Sequence, residues 1–130
     1  MKYLLTLIMP LMLMMTACEQ SEYVVPNRTV IVDVQSRDWT TYDKGYTYET
    51  DIDLPEYDNY NNEQGAILVY VSGDGRYYEQ VPQVIDGFAY SYGVTAGTLT
   101  LRLQNSDAIK TITPPTKTVT FKIVLIDSSY

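Results

Sequence analysis

The sequence predicts an all-β domain: an antiparallel sandwich of two sheets with about seven strands. Three observations support this prediction. Apolar and polar side chains alternate through most of the chain after residue 28, Gly and Pro residues separate the alternating runs, and no segment repeats its apolar residues at the period of a helix. A small β-barrel is the alternative that has the same pattern.

Seven runs of residues carry the strand pattern. The run 66–71 is continuously apolar, as expected of a central strand. The run 77–85 contains Pro82, which cannot donate a ladder hydrogen bond and is therefore predicted at a sheet edge or a bulge. Turn-forming pairs such as Asp86-Gly87 separate neighbouring runs. The predicted strands are residues 29–35, 46–54, 66–71, 77–85, 88–92, 98–103 and 119–125.

The alternation also predicts which side chains face the core, because successive residues of a strand point to opposite faces of the sheet. Four tyrosines share faces with apolar residues and are predicted to pack inward: Tyr46, Tyr48, Tyr90 and Tyr92. The predicted core contains Val32, Ile52, Val69, Leu101, Phe121 and Ile123.

The first 17 residues have the pattern of an export signal. Lys2 gives a positive start, residues 3–15 carry no charge, and Thr16 and Ala17 are small. The apolar run is shorter than the roughly 20 residues that a membrane-spanning helix needs, and Pro10 interrupts it. The prediction is a signal peptide over residues 1–17.

The residues around Cys18 resemble the bacterial lipobox. In Met15-Thr16-Ala17-Cys18, Met replaces the usual Leu. The resemblance implies cleavage before Cys18, acylation of its thiol and anchoring of the protein to a membrane of the cell envelope. An Asp directly after the cysteine resembles an inner-membrane retention signal. Since Glu19 stands there instead, the resemblance favours the outer membrane. We expect a lipidated tether over residues 18–28 and a β-sandwich domain over residues 29–130.

Several segments of the domain resemble a group of small, Tyr-rich, single-domain β-sandwich lipoproteins of Gram-negative gut-type anaerobes. The segments are Tyr46-Thr-Tyr-Glu-Thr-Asp-Ile52, Gly65-Ala-Ile-Leu-Val-Tyr70 and Phe88-Ala-Tyr-Ser-Tyr92, together with Trp39, Val81-Pro82 and residues 119–125. The resemblance implies an immunoglobulin-like fold in the cell envelope. It implies no activity and no functional residues.

The composition excludes several classes of chemistry. The chain has no His, which removes Ser-His-Asp and Cys-His catalysis and His-based zinc sites. Cys18 is the only cysteine, so no intramolecular disulfide forms. A net charge of −7 disfavours nucleic acid as a partner, because phosphate neutralisation dominates that binding. We therefore expect a non-enzymatic protein without a cofactor.

Two groups of side chains are candidates for ligand binding. Aromatic residues that strand periodicity does not place in the core are predicted to be exposed and suited to a glycan or peptide: Trp39, Tyr57, Tyr60, Tyr77 and Tyr78. The acidic segment 51–63 offers weak calcium candidates in Asp53, Glu56 and Asp58. Its spacing fails the EF-hand pattern, so a solvated acidic loop is the favoured interpretation.

The first and last strands depart from the rule that an outer sheet face is polar. With their apolar alternating residues inward, Ile31, Val124 and Ile126 must face outward. The favoured interpretation is that Tyr23, Val24 and Val25, or Tyr130, fold back over them. The alternative hypothesis is that they contact another envelope protein or a second copy of the chain. The leading hypothesis is an envelope interaction or accessory module; the alternatives are a carbohydrate-binding module and a small enzyme or inhibitor.

Overall fold

Two four-stranded antiparallel sheets form the structure, a computed structural model that describes residues 27–128. The first sheet has the strand order β1-β8-β3-β4 and the second the order β2-β7-β6-β5. The sheets do not close into a barrel, so the prediction of a sandwich is confirmed. The strands are β1 (Arg28–Val34), β2 (Thr47–Leu54), β3 (Ala66–Ser72), β4 (Glu79–Gln80), β5 (Gln83–Ile85), β6 (Phe88–Thr95), β7 (Gly97–Asn105) and β8 (Val119–Ile126).

The pairing follows the immunoglobulin plan in its central strands. In that plan the second, fifth and fourth strands are neighbours in one sheet, and the third and sixth are neighbours in the other. Here β2, β7 and β6 are the corresponding neighbours in the second sheet, and β3 and β8 are the corresponding pair in the first sheet. The departure is β1, which pairs antiparallel with β8 and so forms one edge of the first sheet.

The predicted strand over residues 77–85 is two short strands that belong to different sheets. β4 pairs with β3 in the first sheet, and β5 pairs with β6 in the second. Val81 and Pro82 lie between them, where the chain crosses from one sheet to the other. Pro82 is therefore next to two edge strands, as predicted, and the sandwich has eight strands rather than seven.

The core lies between the two sheets. Val69, Leu101, Phe121 and Ile123 are buried as predicted, whereas Val32 and Ile52 are half-buried because they lie on the edge strands β1 and β2. Among the four predicted core tyrosines, Tyr90 is buried, and Tyr48 and Tyr92 pack partly against the core. The Tyr92 hydroxyl donates a hydrogen bond to the Ile67 carbonyl across the sandwich at 3.1 Å.

The prediction for Tyr46 is wrong. Its side chain is 46% exposed. It lies one residue before β2 begins, in a turn where Gly45 has a φ of 94°. Because the strand alternation starts only at Thr47, the period that assigned Tyr46 to the inner face does not extend to it.

Residues 27–128 include a short helix, α1 (Asn59–Gln64), although no helical period is visible in the sequence. Asp58 is its N-cap, and its Oδ1 accepts a hydrogen bond from the Asn61 N–H at 2.9 Å. A six-residue helix is too short for hydrophobic periodicity to reveal it. A single 3-10 turn over Ser36–Asp38 follows β1.

The connections divide between the two ends of the sandwich. Arg28 lies opposite Leu125, so the chain enters and leaves the described domain at one end, which we call the near end. The α1 segment also lies there, and the Tyr60 hydroxyl donates to the Ser128 carbonyl. The opposite, far end carries the connections β1–β2, β3–β4, β5–β6 and β7–β8.

The predicted signal peptide, Cys18 and the predicted tether up to residue 26, which includes Tyr23, Val24 and Val25, lie outside the described residues, as does Tyr130. Within residues 27–128, none of the helices has the length and apolar character needed to cross a bilayer.

Candidate functional site

The outer face of the second sheet is polar along β2 and β7, where its side chains form hydrogen bonds with one another, and it carries the exposed Val84 on the edge strand β5. Glu49 and Arg102 form an ion pair across β2 and β7, with 2.9 Å between Oε1 and Nε. The Thr100 hydroxyl donates to Asp51 at 2.6 Å, and the Gln104 amide donates to the Thr47 hydroxyl at 3.1 Å. This face satisfies its polar groups and meets water as an outer sheet face should.

The outer face of the first sheet is different. Residues that lie opposite one another in an antiparallel sheet share a face, and the strand register places apolar side chains together across three strands. Val124 of β8 lies between Thr29 of β1 and Leu68 of β3, and Ile126 is opposite Ala66. In the next row Lys122 lies between Ile31 and Tyr70. We call this surface the apolar face; it consists of Ile31, Leu68, Tyr70, Tyr78, Val124 and Ile126 around Lys122.

The predicted outward orientation of Ile31, Val124 and Ile126 is confirmed. Ile31 is 54% exposed, and Val124 and Ile126 are half-buried on the face opposite the buried Phe121, Ile123 and Leu125. The sequence did not reveal Leu68 and Tyr70 as members, because residues 66–71 are continuously apolar and show no alternation that separates the two faces.

Lys122 is the charged centre of the apolar face. Its Nζ lies 4.8 Å from the ring centroid of Tyr70 and 4.2 Å from that of Tyr78, so the ammonium is held between two aromatic rings. Within residues 27–128 no carboxylate lies within ion-pair distance of this ammonium. The ammonium lies in an apolar surround, and the next row of the same sheet face carries the Asp33 carboxylate, which accepts a hydrogen bond from Thr120 at 2.7 Å.

The predicted exposure of Trp39 and Tyr57 is wrong. Trp39 is 5% exposed and packs edge-on against Phe121, with 6.2 Å between ring centroids. The 3-10 turn after β1 brings its ring over the end of the core. Tyr57 is 3% exposed, because its N–H donates to the Leu54 carbonyl and its own carbonyl accepts from the Gly97 N–H. Burial raises the pKa of the Tyr57 hydroxyl.

The remaining aromatic candidates are exposed to different degrees and do not form one site. Tyr60 is 51% exposed at the near end, whereas Tyr77 is 70% exposed at the far end. The seven residues of β3 separate these ends by about 20 Å. Tyr78 is half-buried and belongs to the apolar face. The five candidates therefore do not present one aromatic surface to a ligand.

Asp74 fixes the backbone that carries Tyr77. Its Oδ1 accepts hydrogen bonds from the N–H groups of Arg76 and Tyr77, each at 2.8 Å, and from the Ser72 hydroxyl. The hydrogen bonds from Tyr77 and Arg76 lower the pKa of the Asp74 carboxyl. Tyr77 borders a shallow groove that Val71 and Glu79 also line.

The weak calcium candidates do not converge. Asp58 caps α1, and Asp53 points outward from the polar face of β2. In the part of the chain that the structure describes, no three His, Cys, Asp or Glu side chains are grouped so that they could hold a metal ion. Asp53, Glu56 and Asp58 are therefore not brought together as ligands.

Comparison of the chain with protein-family models, with curated proteins and with solved structures finds no match. Any assignment of function therefore depends on the geometry of the molecule itself.

Proposed function

We propose that this protein is a lipid-anchored, non-enzymatic interaction module of the bacterial cell envelope, and that its apolar face docks on another envelope protein. The supporting observation is the contrast between the two outer sheet faces. On the second sheet, Glu49 pairs with Arg102 and Asp51 with Thr100, whereas the first sheet places six apolar or aromatic side chains and one cation on its outer surface.

The chemistry of the apolar face defines the kind of partner. Removing Ile31, Leu68, Val124 and Ile126 from water contributes about 25 cal/mol per Å² of apolar surface buried. Lys122 would then be desolvated, which is costly unless a carboxylate meets it. The partner is therefore a protein surface with apolar side chains arranged around an Asp or Glu.

The non-enzymatic part of the proposal is supported by the residues that the chain offers. It has no His, and its single Cys is the predicted site of acylation. Membrane anchoring is supported by the lipobox resemblance at residues 15–18. An anchored module that presents one sticky face suits a role in assembling envelope proteins.

The test compares the full-length protein with a Val124→Thr/Ile126→Thr double variant in intact cells. Cross-linked partners are purified through a tag on the chain and identified by mass spectrometry. We expect the variant to lose its specific partner while its unfolding free energy changes by less than about 1 kcal/mol, because both side chains are on the surface. Lys122→Glu should weaken the same complex, and Lys122→Arg should retain it.

The matched control is Thr95→Val/Thr98→Val, which changes two paired β-branched residues on the outer face of the second sheet. It should leave the complex intact. Unfolding of the Val124→Thr/Ile126→Thr variant would show that these side chains are structural. Unchanged cross-linking by the folded variant would show that the apolar face is not the contact surface.

A further inference from the structure

The four edge strands of the sandwich are not equally protected against pairing with another chain. β4 and β5 have two and three residues, with Pro82 beside them, and short strands with Pro discourage added strands. β2 is long, but it presents Glu49, Asp51 and Asp53, and Thr40 exchanges two backbone hydrogen bonds with Glu49. Charge and this bridge protect the β2 edge.

β1 lacks these protections. It runs for seven residues without Pro or Gly, and among the described strands it pairs with β8 alone. Between its ends its one charged residue is Asp33. Val30 and Val32 face the core yet are only half-buried, and Ile31 on the other face is 54% exposed. A strand added beside β1 would cover all three and satisfy the free backbone groups of the edge.

We propose that the occupant of this edge is β1 of a second copy of the chain, paired antiparallel about a twofold axis at Ile31. In this register Ile31 lies opposite Ile31 of the second copy, Val30 opposite Val32, and Thr29 opposite Asp33. The pairs between the strand ends are favourable: two apolar pairs on the inner face, one on the outer face, and two in which a hydroxyl lies beside a carboxylate. The protein already uses the last pairing, since the Thr120 hydroxyl donates to Asp33 at 2.7 Å. The end pairs place Arg28 opposite Val34.

The neighbouring registers are worse. A slip that moves the pairing by one residue puts core-facing side chains on the outer face. The next registers that keep the faces place Ile31 opposite Thr29 or opposite Asp33. They still pair valines on the inner face, but each leaves the exposed Ile31 without an apolar partner. Among these registers, the one centred on Ile31 therefore pairs this side chain with another apolar one.

The inferred dimer deepens the proposed function. Its biological role rests on that function, whereas its geometry is argued from β1 alone. Pairing joins the two first sheets into one sheet of eight strands. The apolar faces of the two copies then become neighbours through Ile31, which belongs to both the edge and the face. Copies held in one membrane also meet at a raised local concentration.

The tethers permit this arrangement. The two Arg28 residues would lie at opposite ends of the paired strands, about 20 Å apart. Residues 18–27 of each copy, if extended, span at most about 35 Å. Both anchors can therefore reach one bilayer.

Disulfide trapping in membranes tests the register with the full-length protein. Ile31→Cys should give a disulfide-linked dimer on oxidation, because residues directly opposite in an antiparallel pair have Cα atoms about 4.5–5.5 Å apart. Thr29→Cys alone and Asp33→Cys alone should not give this dimer, since each cysteine would lie about 13 Å from the same residue of the second chain. Co-expression of Thr29→Cys with Asp33→Cys should restore the cross-link. The unsubstituted chain, which retains Cys18, sets the background.

The outcomes separate this inference from the proposed function. If the Ile31→Cys variant forms no more disulfide-linked dimer than the unsubstituted chain, the proposed pairing is overturned. This result is expected if the chain's own tether covers the edge of β1. Equal cross-linking by Thr29→Cys would overturn the register. In a second measurement, Ile31→Lys should make the detergent-solubilised protein monomeric while Trp39 emission reports an intact fold. Ile31→Cys combined with Val124→Thr and Ile126→Thr should still cross-link, even though the envelope partner is lost.

Discussion

Trp39 has a buried indole N–H without a hydrogen-bond partner among the described residues. An unsatisfied buried donor costs about 1–3 kcal/mol, which the packing of its ring on Phe121 offsets. We expect Trp39→Ala to lower the unfolding free energy by about 3–5 kcal/mol, because it leaves a cavity. Trp39→Phe should cost less, because it keeps a ring on Phe121 and removes the unsatisfied donor. Chemical denaturation followed by circular dichroism measures both.

If both Trp39 variants lose the same unfolding free energy, a smaller aromatic ring does not replace the packing of the indole. As the only Trp in the chain, Trp39 also reports its own burial. Its emission should shift to longer wavelength on unfolding.

The buried Tyr90 hydroxyl makes the stability of the fold depend on pH in the alkaline range. Burial, with a smaller effect of the Asp86 carboxylate, raises the pKa of its hydroxyl from 10.0 to about 12. A raised pKa in the folded state means that stability is fully present below pH 10 and is lost as the pH rises towards 12. Denaturant midpoints measured between pH 9 and pH 12 should fall in this window, and Tyr90→Phe should reduce the fall.

The control for Tyr90 is Tyr77→Phe, because that ring is 70% exposed. Its alkaline stability profile should match that of the unsubstituted protein. If Tyr90→Phe also matches, ionisation of Tyr90 does not contribute to alkaline unfolding.

At the scale of elements, α1 depends on the glycine that follows it. The Gly65 N–H donates to the Asn61 carbonyl at 2.8 Å, and a Cβ at this position would lie 2.7 Å from the carbonyl oxygen of Ile126. Two backbone segments would have to move apart to admit it. We expect Gly65→Ala to destabilise the protein by about 1–3 kcal/mol. Thermal or chemical denaturation measures the loss.

Gly73→Ala is the matched control for Gly65, because a Cβ there meets nothing within 4 Å. It should leave stability nearly unchanged. A similar loss in both variants would point to a general cost of losing glycine rather than to the close approach of α1 and β8.

Strands were predictable from the sequence where their alternation is long, as in β2, β7 and β8. What could not be predicted depends on neighbours. The run 77–85 looks continuous, but the change of sheet at Val81 and Pro82 depends on which strands are available on either side. The same limit applies to α1, because its sequence signal consists of the N-cap Asp58 and the C-terminal Gly65, with no hydrophobic period between them.

The candidate site shows the same division. Alternation alone placed Ile31, Val124 and Ile126 on the outer face, because strand faces are a local property. Burial of Trp39 and Tyr57 is not local: each lies outside a strand, and its environment is set by Phe121 or by the β6–β7 turn. Membership of Leu68 and Tyr70 in the apolar face required the register of β3 against β8.

At the scale of the whole molecule, the lipobox resemblance makes a prediction about processing. Cys18→Ala should leave an unprocessed precursor without acyl chains, because in a lipobox the cysteine is the residue that receives the lipid. Mass spectrometry of the purified protein measures the mass and the N-terminus. A mature N-terminus elsewhere without lipid, in either the variant or the unsubstituted chain, would contradict the anchor.

Both described chain ends leave the sandwich at the near end, since Arg28 lies beside Leu125. The far end is built from connections alone, and Gly73 and Gly75 lie there in open space. Exposed loop tips of this kind accept inserted sequence. A foreign epitope inserted into one of the far-end connections would project from the end of the sandwich opposite Arg28, so the domain is a ready scaffold for displaying peptides.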